Sequence, residues 1–246
     1  MGGEPVAVFL SLALPAKLPQ KWVDQFMKGL LKLAAEFHVT LAGGDTAQSP
    51  TGVLADIVVA GSVPRGGAVL RSTAKVGDRI YVTGTLGGAA AELEMLHSKR
   101  KQVPKPNRPS PSSHVFLLPV PRIKVGRILR ERGTATSMID LSDGLSTDLR
   151  HICEESGVGA QVSAEAIPRV KTNKGLVDLQ LALHGGEDYE LLFTASPAKR
   201  VPHRIAGVQI TEIGRITRSR RVLLIDAEAK RELEPKGWQH FAGSGE

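Results

Sequence analysis

The stretch SMIDLSDGLSTDLRHICEE, residues 137–155, carries most of the fold information in this chain. Its first part, residues 137–141, is short, apolar and strand-like. Asp143 and Gly144 then supply turn chemistry. From Leu145 onward Leu149, Ile152 and Cys153 recur at helical spacing, which predicts a helix over 145–155 with the single cysteine on its inner face as a small buried hydrophobe. A strand that turns through a glycine directly into a helix is a unit of mixed architecture. The same alternation recurs along the chain, so the expected class is α/β (α+β).

Outward from that stretch, strands are expected at residues 6–14, just before Gly43, and at 52–63, 79–83, 189–194, 209–216 and 222–225, the last two as a closing pair. A helix opening at Pro19 is marked by Val23, Phe26, Met27, Leu30, Ala34 and Phe37. Further helices are expected at 89–97 and 121–132 and from about Pro197. The Gly/Pro-rich turn at 64–67 divides the chain into residues 1–66 and 67–246.

Composition narrows the functional classes. The 246 residues are 41 % hydrophobic and 23 % charged, a balance suited to a packed globular core, which aliphatic side chains must fill because aromatics are only 4 %. No apolar run reaches the ~18 residues of a membrane span, and no leader peptide is apparent, so neither a membrane partner nor secretion is expected. One cysteine excludes an internal disulfide and fits a reducing, cytoplasmic setting. The net charge of +7 is concentrated in residues 99–108 and 215–221. Neither run interleaves aromatics for base stacking, so solvated loops are expected and not a nucleic-acid surface.

Three acidic clusters sit in Gly-rich surroundings: Gly43-Gly44-Asp45-Thr46, Asp140-Leu141-Ser142-Asp143-Gly144 and Gly185-Gly186-Glu187-Asp188. Each is expected in a turn beside a strand. Oxygen ligands of this kind suit Mg²⁺, which takes one or two carboxylates together with phosphate oxygens and water. The second cluster also opens a helix, whose N–H groups favour an anion. The same residues read equally as Asx turns or, for Ser142 and Asp143, as helix caps. The turn Thr83-Gly84-Thr85-Leu86-Gly87-Gly88 resembles a phosphate cradle but lacks the Lys-Ser/Thr of a Walker A loop, and reads also as a plain strand-to-helix turn. The histidines show no paired zinc spacing.

Taken together and in order, LAGGDT (41–46), LRSTAKVGDRIYVTGTLGG (70–88), IDLSDGLSTDL (139–149), GGEDYELLFT (185–194), ITEIGRIT (210–217) and the ending GWQHF (237–241) resemble the thiamine-monophosphate kinases, within the aminoimidazole ribotide synthetase-like ATP-binding superfamily. The resemblance implies a two-domain fold and ATP-dependent phosphorylation of thiamine monophosphate to thiamine diphosphate with Mg²⁺. Residue by residue it implies Gly44 and Asp45 at the ATP phosphates with Asp45 also on metal, Arg71 and Ser142 at the nucleotide, Asp140 and Asp143 on metal, and Glu187 and Trp238 at the thiamine substrate. The acceptor is already a phosphate monoester, with a second pKa near ~6, so no dedicated general base is expected. The family forms homodimers and carries further metal-binding residues upstream of a segment that aligns with Met1 to Pro5. Residues 1–66 are therefore expected to be the C-terminal half of an incomplete N-terminal ATP/Mg-binding domain, and 67–246 the C-terminal domain. Two alternatives stand beside this one: another ATP-dependent member of the superfamily, and a non-catalytic remnant that binds nucleotide or thiamine phosphate.

Overall fold

The structure is a computed structural model that describes residues 1–98, 118–172, 175–227 and 229–238. The basic stretch 99–108 and residues 239–241 of the C-terminal motif lie outside the described residues. The chain forms two compact units, Gly3–Gly67 and Met1–Gly2 together with Ala68–Glu246. No described helix is long and apolar enough to cross a membrane.

The smaller unit is a three-stranded sheet and one helix. Strand β1 (Glu4–Pro15) lies between β2 (Thr40–Ser49), to which it is parallel, and β3 (Leu54–Ser62), to which it is antiparallel. Alternation along β1 buries Val8, Leu10 and Leu12 on one face. Helix α1 (Gln20–Glu36) follows Pro19. Its half-buried positions are Val23, Phe26, Met27, Leu30 and Ala34, with Phe37 just beyond its end, the set that the helical period marks. Trp22 stacks on Phe26 at 5.5 Å between ring centroids.

One expectation is corrected here. The Gly43–Thr46 cluster is not a turn beside a strand; it lies within β2. The register slips between Val8 and Phe9, so that Phe9 faces Gly43 and Leu10 faces Gly44. The slip leaves Ala42 as the extra residue of a β-bulge, immediately before the two glycines. Gly44 is required by close approach, since a Cβ there would lie 1.8 Å from the Leu10 carbonyl oxygen.

The larger unit is built on an eight-stranded sheet. In chain order its elements are β4 (Arg79–Thr83), α2 (Gly88–Ser98), α3 (Ile123–Glu131), β5 (Ala135–Asp140), α4 (Leu145–Ser156), β6 (Gly159–Ser163), the small pair β7 (Lys171–Thr172) and β8 (Gly175–Leu176), α5 (Leu179–His184), β9 (Leu191–Ala195), β10 (Arg204–Ile205), β11 (Val208–Thr217), β12 (Val222–Ile225) and β13 (Lys230–Glu232). The sheet order is β13-β12-β6-β11-β4-β9-β5, with β10 paired to β11. Both faces are covered, so the central strands are apolar on both sides. Ile80, Val82 and Leu192 pack with Leu145, Leu149, Ile152 and Cys153 of α4 and with Ala182 and Leu183 of α5. On the other face Tyr81, Leu191, Phe193 and Ile210 pack with Val125 and Leu129 of α3, and the Tyr81 and Phe193 rings stack at 5.2 Å.

Two further expectations fail for identifiable reasons. No helix starts at Pro197; the Lys199 N–H donates to the Ser196 carbonyl in a single turn, and Pro202, which lacks an N–H, follows closely. Strands β11 and β12 do not pair with each other. Strand β6 lies between them, antiparallel to β11 and parallel to β12. Such an insertion depends on long-range pairing and leaves no local sequence signal.

Candidate active site

The site grows from the end of β5. Asp140 is its last residue and pairs with Leu191 of β9. Beyond it the chain passes through Leu141, Ser142 and Asp143 and enters α4 at Gly144, whose φ of 104° is unfavourable for any residue with a side chain. Gly144 is the N-cap, and no side chain caps the helix. The reading of Ser142 or Asp143 as a mere cap is therefore not what the structure contains. Instead Asp148, inside α4 and 1 % exposed, turns back and accepts the Asp143 N–H at 3.1 Å, with the Gly144 N–H as a second donor. Burial, and after it the nearby Asp143 and Asp140 carboxylates, push Asp148 up to about 7 although those two N–H bonds favour its charged form.

Two other segments dock on this turn. Residues 185–190 run along it: the Glu187 N–H donates to the Ser142 carbonyl, the Tyr189 N–H to the Leu141 carbonyl, and the Leu141 N–H to the Glu190 carbonyl, at 2.9, 2.9 and 2.8 Å. The C-terminal segment covers another side. The Trp238 N–H donates to the Asp143 carbonyl at 3.1 Å and the Gly237 N–H to Thr147 Oγ1 at 3.1 Å. Glycine is obligatory at 237, because a Cβ there would stand 1.8 Å from the Asp143 carbonyl oxygen. Three segments far apart in sequence thus bring Asp140, Ser142, Asp143, Glu187 and Trp238 into one locality.

Within residues 187–190 the side chains alternate. Asp188 and Glu190 are buried, whereas Glu187 and Tyr189 are exposed. Asp188 accepts the Gly87 and Ala89 N–H groups at 2.7 and 3.2 Å, so it fills the Gly-rich turn before α2. Those donors serve a protein carboxylate, and the phosphate-cradle reading of residues 83–88 falls. Burial raises Asp188 to about 6, against the lowering effect of its backbone donors. Glu190 accepts from Arg122 through both carboxylate oxygens and from the Thr83 hydroxyl, whose own oxygen accepts the Leu191 N–H at 2.8 Å. Glu187 and Tyr189 have φ values of 69° and 49°, left-handed conformations that cost non-glycine residues on the order of 1–3 kcal/mol each. The buried partners of Asp188 and Glu190 hold them there.

The donor set fits a hard cation. Among the described residues no group donates a hydrogen bond to the side chain of Asp140 or Asp143, and both carboxylates are half-buried. Oxygen-only, partly desolvated carboxylates match what Mg²⁺ takes up, and Asp140 already lies in the field of a positive group, the Met1 ammonium. Ligand atoms of Asp143, Asp148 and His151 also lie within 4.8 Å of one another. The sequence reading passed over Asp148 and His151. Their i, i+3 spacing on α4, one turn beyond Asp143, was the available signal.

Arg71 is exposed and sits beside the outer edge of β5. The Leu70 carbonyl accepts the Met138 N–H at 3.2 Å, and Ser156 Oγ donates to the Arg71 carbonyl at 3.0 Å. Its backbone thus lies along the strand that ends in Asp140 but does not adjoin the Asp143 turn. Gly44 and Asp45 belong to the smaller unit. Asp45 is exposed, and its Oδ1 accepts the neighbouring Thr46 N–H at 2.8 Å.

Comparison with known proteins places the chain in a family. The family models of the AIR synthase related protein match in order, the N-terminal domain over residues 1–63 and the C-terminal domain over residues 75–226. Thiamine-monophosphate kinase of Salmonella typhimurium is 38 % identical over 251 residues, covering 98 % of this chain and 75 % of that protein. The Bacillus subtilis thiamine-monophosphate kinase is 32 % identical over 257 residues, covering 98 % and 76 %. Among solved structures, AaThiL complexed with AMPPCP and TMP superposes with a TM-score of 0.80 at 30 % identity, over 98 % of this chain and 75 % of that one. Thiamine-monophosphate kinase from Stenotrophomonas maltophilia gives 0.79 at 34 % identity, over 91 % and 73 %. With this identity sustained across nearly its whole length, the chain belongs to the thiamine-monophosphate kinase family.

Proposed function

We propose that the protein transfers the γ-phosphoryl group of ATP to thiamine monophosphate in a Mg²⁺-assisted, in-line displacement that yields thiamine diphosphate and ADP. A terminal phosphate oxygen of thiamine monophosphate forms the new P–O bond as the β–γ bridge of ATP breaks. The observation that carries this reading is the convergence of Asp140, Ser142, Asp143, Glu187 and Trp238 on one turn. It is supported by family membership and by the solved relative that holds AMPPCP and TMP.

Asp140 and Asp143 would hold Mg²⁺, which when bound supplies the positive charge that offsets two anionic phosphates brought together. Ser142 and Arg71 would meet the nucleotide. On the smaller unit Gly44 and Asp45 would lie at the ATP phosphates, with Asp45 also on metal, and residues 1–66 would belong to the nucleotide-binding domain. Glu187 would contact the thiamine substrate, and the exposed indole of Trp238 would pack on its flat cationic rings. The acceptor phosphate is largely dianionic at neutral pH, so positioning and charge neutralisation carry the reaction without a dedicated base. Homodimerisation is part of the same reading and has support in the exposed apolar side chains of β3, Leu54, Ile57, Val58 and Val59; sedimentation analysis tests it.

The deciding experiment is Asp143→Asn, assayed for ATP-dependent formation of thiamine diphosphate across a Mg²⁺ titration. Turnover is expected to fall roughly 100- to 1000-fold, as for loss of a group that stabilises charge in the transition state. The melting temperature should move by no more than about 3 °C, because no described residue donates to that carboxylate. An undiminished rate at every Mg²⁺ concentration would refute the assignment.

A further inference from the structure

We propose that Tyr189 is a positioning residue for the thiamine substrate: it acts by holding the Glu187 carboxylate in its binding orientation through the phenol-to-carboxylate hydrogen bond. This rests on the reading that Glu187 contacts thiamine phosphate. The phenol Oη donates to Glu187 Oε2 at 3.1 Å, and both side chains stand on the outward side of the same short stretch.

The surrounding structure is organised to produce that contact. Glu187 and Tyr189 hang their backbone N–H groups on the carbonyls of Ser142 and Leu141, in the turn that carries Asp140 and Asp143. Between and beyond them, Asp188 is fixed by the N–H groups of Gly87 and Ala89, and Glu190 by Arg122 and Thr83. Two buried acids thus pin the backbone, and two left-handed residues face outward with their side chains touching. An aromatic residue held at φ 49°, 37 % exposed and outside both core clusters, has no packing role that would account for the conformation. A carboxylate on a flexible side chain loses rotamer freedom when it binds a ligand. The phenol removes that freedom beforehand. The groups facing the phenol support its role as donor: burial first, then Glu187, Asp140 and Asp143, raise its pKa, so the proton stays on the tyrosine.

The test compares Tyr189→Phe, Glu187→Gln and the double variant, each read as KM for thiamine monophosphate, KM for ATP, kcat and melting temperature. Tyr189→Phe keeps the ring and the backbone and deletes only the donor. It is expected to raise KM for thiamine monophosphate about tenfold, the worth of one hydrogen bond to a charged group. KM for ATP and the melting temperature should not change, and the rise should be smaller when Glu187 is already glutamine, whose uncharged amide oxygen accepts a weaker hydrogen bond from the phenol. If Glu187→Gln raises KM and Tyr189→Phe does not, the inference is overturned while the Glu187 reading stands. If both are silent, the Glu187 reading fails. Additive effects in the double variant would show Tyr189 acting independently and would also overturn the inference.

Discussion

Gly237→Ala should detach substrate binding from the rest of the protein. The added Cβ would lie 1.8 Å from the Asp143 carbonyl oxygen and 2.6 Å from Thr147 Oγ1, distances that no relaxation of a flexible side chain relieves, because the first contact is backbone. The segment must therefore leave its seat. Two hydrogen bonds go with it, Gly237 N–H to Thr147 Oγ1 and Trp238 N–H to the Asp143 carbonyl. At about 1 kcal/mol each the loss is about 2 kcal/mol, which corresponds to roughly a 30-fold weaker hold on a ligand that needs Trp238 in place. The buried residue that ties this strand end to the core, Leu233, lies upstream of the disturbed segment, so the core is untouched. KM for thiamine monophosphate is expected to rise roughly 30-fold, with KM for ATP within about twofold of wild type, and calorimetric Kd should follow KM independently of turnover. Thr147→Val calibrates the scale: it removes one of the two acceptors and should cost about fivefold. Unchanged KM and Kd in Gly237→Ala would show that the C-terminal segment is not part of the substrate site, and a comparable rise in KM for ATP would show that the disturbance is general.

The remaining expectations concern the buried acids behind the site. Asp188 is raised from 3.8 to about 6 in the folded state, so the stability it contributes is present below the unfolded value and is lost as pH rises through about 6. The loss is on the order of 3 kcal/mol. In chemical denaturation the stability of wild type relative to Asp188→Asn should therefore be greater at pH 4.5 than at pH 8, and a difference independent of pH would refute the sign. Arg122→Ala leaves Glu190, 4 % exposed, without its counter-charge. It should cost about 3–5 kcal/mol in urea denaturation, and a loss below about 1 kcal/mol would show that Glu190 rests on Thr83 alone.

Local periodicity made much of the architecture legible. The six apolar residues from Val23 to Phe37 are the ones half-buried along and just past α1, and residues 79–83 and 222–225 are strands with the expected bounds. What periodicity missed depends on partners distant in sequence. Strand β6 has the unremarkable sequence Gly-Ala-Gln-Val-Ser, and it becomes the strand between β11 and β12 only because Ala160 and Val162 are the residues that fill the space beneath α4. The Gly43–Thr46 motif looks like a turn, yet Gly44 is there because β1 runs against it.

The acidic residues show the same limit most sharply. Composition makes Asp143 and Asp188 equivalent: each is an aspartate in a Gly-rich stretch near an apolar segment. In the fold Asp188 is consumed by the N–H groups before α2, whereas Asp143 lends its N–H to Asp148 and its carbonyl to Trp238, and its carboxylate accepts from no described residue. A clue was nevertheless present. Glu187, Asp188, Tyr189 and Glu190 precede a buried strand, and extending its twofold alternation backwards puts Asp188 and Glu190 on the side opposite Glu187 and Tyr189. Two acids facing inward demand hydrogen-bond donors of their own, and Arg122 and the turn before α2 supply them. The electrostatic design then follows from position. Acids whose lone pairs are satisfied by the protein fix the backbone, whereas no described residue donates a hydrogen bond to the carboxylates of Asp140 and Asp143.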